Sequence, residues 1–287
     1  MTFIHRWRHA PVAALAGTLL TAYAMTAGAK PSVEPKLKSS SVLIVDQSGS
    51  QVLYSRNSDV AAPIASITKL MTALVVLDAQ QPMNERLEIT KAELDLPKMN
   101  FSRLTVGTVL TRGDLMHLAL MSSENRAAHA LGANYPGGIP AFVAAMNAKA
   151  AALGMRTAHF ADPTGLSGEN VASPEDLSKL VIAASKNAAI REYSTDKSYT
   201  VRVHRHLVEF HNTDNLVANP SWNIVVQKTG YIAEAGKCLV MEAVIEGRNV
   251  VIVLLDSLGK YTRVADAKRV KSWMESLSTR PVVSMMR

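Results

Sequence analysis

SITKLMTALVVLDA, residues 66–79, is apolar nearly all the way round. A surface helix carries one apolar stripe, whereas a run that is apolar on several faces belongs to a helix buried in a core. Ser66 and Lys69 open this run, and residues three apart share a helix face. The spacing therefore predicts a buried helix whose first turn sets a hydroxyl beside an amine, close to backbone N–H groups and the positive end of the helix dipole. Burial, or a second cation nearby, lowers the pKa of such an amine until it accepts a proton. A serine nucleophile needs such a base.

On the N-terminal side, residues 41–56 alternate apolar and polar around Asp46-Gln47-Ser48-Gly49, the pattern of a β-hairpin. On the C-terminal side, Thr111-Arg112-Gly113-Asp114 has capping-box form and opens a helix through Met121. A second helix is expected over residues 139–155, with Gly154 near its end. Ser173-Pro174-Glu175-Asp176 supplies a capping serine, a proline at the first position and two acids, starting a helix to about Ser185. Strands are expected at 199–210, 223–226, 238–245 and 250–255, the last two joined across Glu246-Gly247-Arg248-Asn249. A final amphipathic helix covers 264–277. Strands, then helices, then strands and a helix imply an α+β fold, an antiparallel sheet flanked by helices with a helical lobe. No internal repeat or linker divides residues 41–277, which read as one domain.

The chain of 287 residues is 48% hydrophobic and 19% charged, enough for a packed core and unlike a disordered chain. His5, Arg6, Arg8 and His9 precede a small, apolar stretch ending in Ala27-Gly28-Ala29, so residues 1–29 read as a cleaved export signal. Its apolar part is short for a membrane anchor, and no membrane span is expected after cleavage. Cleavage removes Arg6 and Arg8 and no acid, lowering the net charge from +7 to +5. Residues 30–40 (KPSVEPKLKSS) look like a flexible leader and 278–287 like a tail. The basic residues are scattered with no recognition motif, which argues against nucleic acid. Cys238 is the single cysteine; no intrachain disulfide is possible, and its strand-like surroundings suit a buried structural thiol rather than a nucleophile.

Chemistry concentrates in three short motifs. Ser66-Ile67-Thr68-Lys69 is the first, yet Ser194-Thr195-Asp196-Lys197 and Ser257-Leu258-Gly259-Lys260 also fit S-x-x-K. Only Ser66 opens a long apolar helix. Ser123-Glu124-Asn125 closes an apolar helix, where Ser123 is suited to relaying a proton and Asn125 to binding a substrate amide. Ser185-Lys186-Asn187 and Ser221-Trp222-Asn223 share the S-x-N spacing, but the former looks like a helix end and the latter, seven residues before Lys228 on the same expected strand, lies too far along it to converge. Lys228-Thr229-Gly230 occurs once and follows a strand-like run. There Lys228 polarises the site, Thr229 holds a carboxylate, and Gly230 leaves room for a substrate backbone. In this order the three are the motif set of serine β-lactamases and penicillin-binding proteins.

The runs PIASITKLMTALVVLDA, LALMSSENRAAHAL, NYPGGIPAFVAAMNAKAAALGM, DPTGLSGENVASPEDLSKL and QKTGYIAEAGKCLVM resemble the D-alanyl-D-alanine endopeptidases of the penicillin-binding protein 7 type, over roughly residues 40–277. The resemblance implies a DD-peptidase, β-lactamase-like transpeptidase fold in the periplasm that cleaves D-alanyl-meso-diaminopimelyl cross-links between peptidoglycan stem peptides. It implies Ser66 as the acylated nucleophile, Lys69 as its base, Ser123, Asn125, Lys228 and Thr229 as supporting groups, and the N–H groups of Ser66 and Tyr231 as the oxyanion hole. β-Lactams would be covalent inhibitors, and no cofactor is implied. The chain stops about ten residues after its last expected helix, which favours the endopeptidase branch over the carboxypeptidases with a second domain and a C-terminal anchor.

Other readings remain beside it: a D-alanyl-D-alanine carboxypeptidase, or a wall- or β-lactam-binding protein without turnover. A class A β-lactamase would carry an E-x-x-L-N segment between the second and third motifs. Here that interval holds Asp162-Pro163-Thr164-Gly165-Leu166, so a penicilloyl adduct is expected to persist. His204, His206 and His211 lack an H-E-x-x-H helix and read as polar strand and loop residues rather than a catalytic zinc site.

Overall fold

A computed structural model describes residues 34–94 and 102–278. The expected export signal at 1–29 and residues 279–287 of the expected tail lie outside the described residues. The chain begins with a hairpin, β1 (Ser39–Asp46) and β2 (Val52–Arg56), then the short β3 (Ala62–Pro63) and helix α1 (Thr68–Asp78). A small pair, β4 (Arg86–Glu88) and β5 (Val109–Thr111), leads into helices α2 (Arg112–Met121), α3 (Asn125–Ala133) and α4 (Gly138–Ala152). The two-residue β6 (Val171–Ala172) precedes α5 (Pro174–Ser185) and α6 (Ala188–Thr195). A second hairpin, β7 (Ser198–Val203) and β8 (His206–His211), is followed by β9 (Asn223–Ile232), β10 (Gly236–Ile245), β11 (Arg248–Ser257) and α7 (Thr262–Ser278).

The main sheet is antiparallel, in the order β2-β1-β11-β10-β9. Successive side chains of a strand point to opposite faces, and the inner strands are buried on both. Leu43, Val45, Val240, Val251 and Val253 pack with the residues of α1 to α5 in one core. Val42, Ile44, Leu239, Met241, Ile252 and Leu254 pack on Ala267, Val270 and Met274 of α7 in another. β9 is the edge strand of the sheet, paired within it to β10 alone.

Local signals place several helices where the sequence predicts them. Thr111 and Asp114 form a reciprocal capping box at α2, and the Ser173 hydroxyl accepts from Asp176 N–H ahead of Pro174 at α5. Each such cap is worth about 1 kcal/mol. Four expectations need correction. Residues 37–40 are not a free leader: Leu37 is buried, and the Ser39 amide and hydroxyl both donate to Asp266 Oδ2 at 2.7 Å, seating the start of β1 against α7. The expected strand 199–210 is a hairpin that turns at His204, whose φ is +52°. The helix expected over 139–155 ends at Ala152, and Gly154 follows at φ +69°. Ser123-Glu124-Asn125 does not close one helix but bridges two, since Asn125 is the first residue of α3.

Candidate active site

The nucleophile turn is a 3-10 turn, Ala65–Ile67, running into α1. Ala65 holds φ at +49°, a conformation disfavoured for any side chain and kept only where surroundings enforce it. Two glycines enforce it. A Cβ on Gly165 would stand 2.0 Å from the Ala65 carbonyl oxygen, and one on Gly230 would stand 2.9 Å from Ile64 O and 3.2 Å from Ser66 N. The backbones of the 162–166 loop and of β9 therefore press against the turn from two sides. Thr68 Oγ1 donates to Ala65 O at 2.7 Å and closes it.

Lys69 lies one helical turn on, fully buried. Its Nζ donates to Ser66 Oγ at 2.8 Å, Asn125 Oδ1 at 2.7 Å and Thr164 O at 2.6 Å, all three available protons being used. Burial pushes its pKa down to about 7, against the opposing pull of the Asp162 and Glu124 carboxylates. A neutral amine is thus well populated near pH 7, and the hydrogen bond to Ser66 can then reverse, the hydroxyl donating to nitrogen.

Neither acid touches Ser66, and both fix what does. Asp162 Oδ1 accepts from Thr164 N, Thr164 Oγ1 and Gly165 N at 2.5–2.8 Å, while Oδ2 accepts from Ser167 N and Asn170 Nδ2. This knot aims Thr164 O at Lys69. Glu124 is buried, which raises its pKa, and accepts from Ser102 Oγ at 2.8 Å and Arg126 N at 3.0 Å. Ser123 precedes it at φ +59°, half-buried in the joint between α2 and α3.

The third wall is β9. Lys228 is fully buried, and its Nζ donates to Thr229 O at 2.9 Å. Burial holds its pKa well below the usual lysine value, helped by repulsion from Lys69 and Arg263 and opposed by Asp214. Thr229 Oγ1 shares a 2.6 Å hydrogen bond with Thr213 Oγ1. Arg263, from the first turn of α7, donates to Gly230 O at 2.7 Å and Cys238 O at 3.2 Å. Tyr231 turns its ring outward, 59% exposed.

All three motifs thus line one site, Ser66 and Lys69 bonded directly, Asn125 bonded to Lys69, and Gly230 against the Ser66 amide. The spare S-x-x-K motifs have no comparable pairing: Ser194 Oγ donates to Arg191 O, and Ser257 Oγ is bonded to Ser39 Oγ. Sequence reasoning overlooked Glu124, Asp162, Asp214 and Arg263 as parts of the site. Only Asp162 left a local sign, in the turn-forming Asp-Pro-Thr-Gly order. The Cys238 thiol is buried and its pKa pushed up to about 11. His204 Nε2 is hydrogen-bonded to Thr105 Oγ1, and among the described residues no group of three His, Cys, Asp or Glu side chains is placed to hold a metal.

Known proteins share this arrangement of chain. A D-alanyl-D-alanine endopeptidase of Pseudomonas aeruginosa is 48% identical over 246 residues, 85% of this chain and 79% of that protein. One from Escherichia coli is 44% identical over 91% of this chain and 85% of its own. The crystal structure of the Streptomyces K15 DD-transpeptidase superposes with a TM-score of 0.79 at 27% identity, covering 85% of this chain and 99% of that one. A D-alanyl-D-alanine carboxypeptidase from Mycobacterium tuberculosis gives 0.78 at 29% identity, over 89% and 96%. The model of the D-alanyl-D-alanine carboxypeptidase family matches residues 26–259, from ahead of β1 to past β11 and so across every motif of the site. By that match, and by the likeness of fold and sequence around it, the chain belongs to the D-alanyl-D-alanine carboxypeptidase family.

Proposed function

We propose that the protein is a periplasmic serine DD-endopeptidase, exported by residues 1–29, that hydrolyses D-alanyl-meso-diaminopimelyl cross-links in peptidoglycan through an acyl-enzyme on Ser66. The observation that carries this reading is the 2.8 Å contact between Ser66 Oγ and a fully buried Lys69 whose pKa is about 7. The names of the relatives at 48% and 44% identity favour the endopeptidase within the family.

Ser66 Oγ attacks the D-alanyl carbonyl carbon while the neutral Lys69 amine takes the hydroxyl proton. The carbonyl electrons move to oxygen, which the N–H groups of Ser66 and Tyr231 stabilise. Collapse expels the amine of the cross-link, protonated from Lys69 by way of Ser123. Asn125 binds the substrate amide, Lys228 polarises the site, and Thr229 holds the carboxylate on the leaving side. Gly230 lets the peptide backbone lie against β9. Water then attacks the ester, restoring Ser66 and releasing the acid. A β-lactam enters the first step and forms the same ester.

Intact mass after incubation with benzylpenicillin tests the centre of this reading. A stable adduct on the chain without its signal, absent from Ser66→Ala, is expected, with no rapid turnover of nitrocefin. Purified cross-linked muropeptides test the bond cleaved: release of monomers supports the endopeptidase, and release of terminal D-alanine alone means a carboxypeptidase. Absence of any adduct would return the site to a binding role.

A further inference from the structure

Along β9 the proposed roles have a direction. Thr229 serves the leaving side and Tyr231 N–H the scissile carbonyl, so the acyl-donor stem continues past Tyr231 toward the end of the strand. What lies there is cationic and aromatic. Tyr231 stands opposite Lys237 in the β9–β10 register. Lys237 shares the face of Leu239 and Met241, the side of the sheet on which α7 packs. The Lys237 ammonium sits 4.1 Å from the Tyr231 ring centroid, a cation–π contact. Lys260 lies 5.2 Å from the ring of Tyr261, itself 68% exposed. Arg263 completes the group from below through its bond to Gly230 O.

These cations are close enough to feel one another: Arg263 and Lys260 add to burial in lowering the Lys237 pKa. Among the described residues no carboxylate forms a salt bridge with Lys237 or Lys260. Cations gathered at the end of the strand that carries Tyr231, whose N–H is the proposed oxyanion donor, raise the local concentration of anionic ligands. Tyr231 and Tyr261 add flat surfaces at low entropic cost.

We infer that Lys237 and Lys260, with Tyr231 between Lys237 and the free edge of β9, form a specificity site for free carboxylates on the acyl-donor stem peptide. The inference rests on the DD-peptidase reading and adds to it the preference for an acidic donor. Exposed charge pairs contribute about 0.2–1 kcal/mol each, so the site selects among donors and leaves the chemical step untouched.

Two synthetic peptides test it, one with free donor-stem carboxylates and one with those groups amidated. Lys237→Gln and Lys260→Gln should each raise KM for the acidic peptide roughly threefold, and together about tenfold, with kcat within twofold. The amidated peptide should show no change, and Lys237→Arg should restore the acidic preference. Equal losses on both peptides, or an unchanged KM in the double variant, would overturn the site. Equilibrium binding of the same peptides to Ser66→Ala, with and without both Gln substitutions, reads the preference without turnover. The penicilloyl adduct on Ser66 is scored separately. An intact adduct with no carboxylate preference sinks the specificity site alone; a missing adduct sinks the hydrolase reading while the binding arm still decides for or against the carboxylates.

Discussion

Two lysines are fully buried in one site, and their surroundings treat them oppositely. Lys69 enters from the helical side and finds three oxygen acceptors and two nearby carboxylates, Asp162 and Glu124. Lys228 enters from the sheet and finds one carbonyl, that of Thr229, with Lys69 and Arg263 repelling it and Asp214 as its counter-charge. Asp214 is itself buried, which raises its pKa and weakens that compensation. Equal burial therefore gives one amine brought to a pKa of about 7 and another held well below the usual lysine value with fewer acceptors and with like charges beside it. The difference teaches that burial depresses a lysine, but its partners decide whether it stops at a useful value.

The largest effects should break the comparison if it is wrong. Ser66→Ala should abolish acylation by benzylpenicillin, and Lys69→Met should slow it about 10³-fold, the range of a positioned general base. Wild-type acylation, followed by stopped-flow or mass, should rise with pH through about 7, because the base is the neutral amine and Lys69 loses its proton there. A rate that stays level across that range would remove Lys69 from the role.

Next in size is the packing that seats Ser66 between the two sides. Gly165→Ala combines a φ of +79° with a Cβ only 2.0 Å from Ala65 O and should destabilise the fold by about 3 kcal/mol in denaturant unfolding. Gly247→Ala, at φ +71° with nothing within 4 Å, should lose only about 1 kcal/mol. Equal losses would mean that the backbone conformation, and not contact with the nucleophile turn, governs both.

These parts of the site differ in how far the sequence discloses them. Residues 66–79 and the strand around Lys228-Thr229-Gly230 announce themselves by hydrophobic pattern, and the caps at Thr111 and Ser173 are complete within four residues. Helices α3 and α6 escaped because they are short and open on Glu124 and Asn187, which read as the end of a preceding helix. Arg263 and Asp162 escaped for another reason. Their work is done across 33 and 93 residues, where nothing in the local order of side chains marks the partner. The same holds for the Ser39–Asp266 contact, which makes an anchored strand of what reads as a small, polar leader.

Lys228→Met should sharpen the contrast by moving stability and activity in opposite directions. Between its depressed folded pKa and 10.5, Lys228 binds a proton in the unfolded chain that it sheds on folding. Stability lost to this group therefore grows as pH falls below 10.5 and levels off below the folded pKa. Methionine removes that loss and leaves only one carbonyl without its donor, so a gain of roughly 1–2 kcal/mol in thermal unfolding near pH 7 is expected, with acylation impaired. Lys69→Met should gain less, because Asn125 Oδ1 and Thr164 O lose a donor and two carboxylates lose a cation. The reverse order of stabilities would show that Lys228 is the better compensated of the two.

The smallest effect separates the two acids that hold Lys69 near neutrality. Glu124→Gln keeps an oxygen for Ser102 Oγ and Arg126 N–H while deleting a charge that favours the Lys69 ammonium. Without it the Lys69 pKa falls, the neutral amine survives to lower pH, and the midpoint of the acylation profile should move down by roughly half a pH unit. Unfolding stability should change little, since the hydrogen bonds persist. A midpoint that does not move would mean that Glu124, whose own pKa is raised by burial, is already protonated where Lys69 titrates. Asp162 would then act alone, and the helical side would hold its lysine by the same count of compensating carboxylates as the sheet, leaving the three acceptors around Lys69 as the difference that matters.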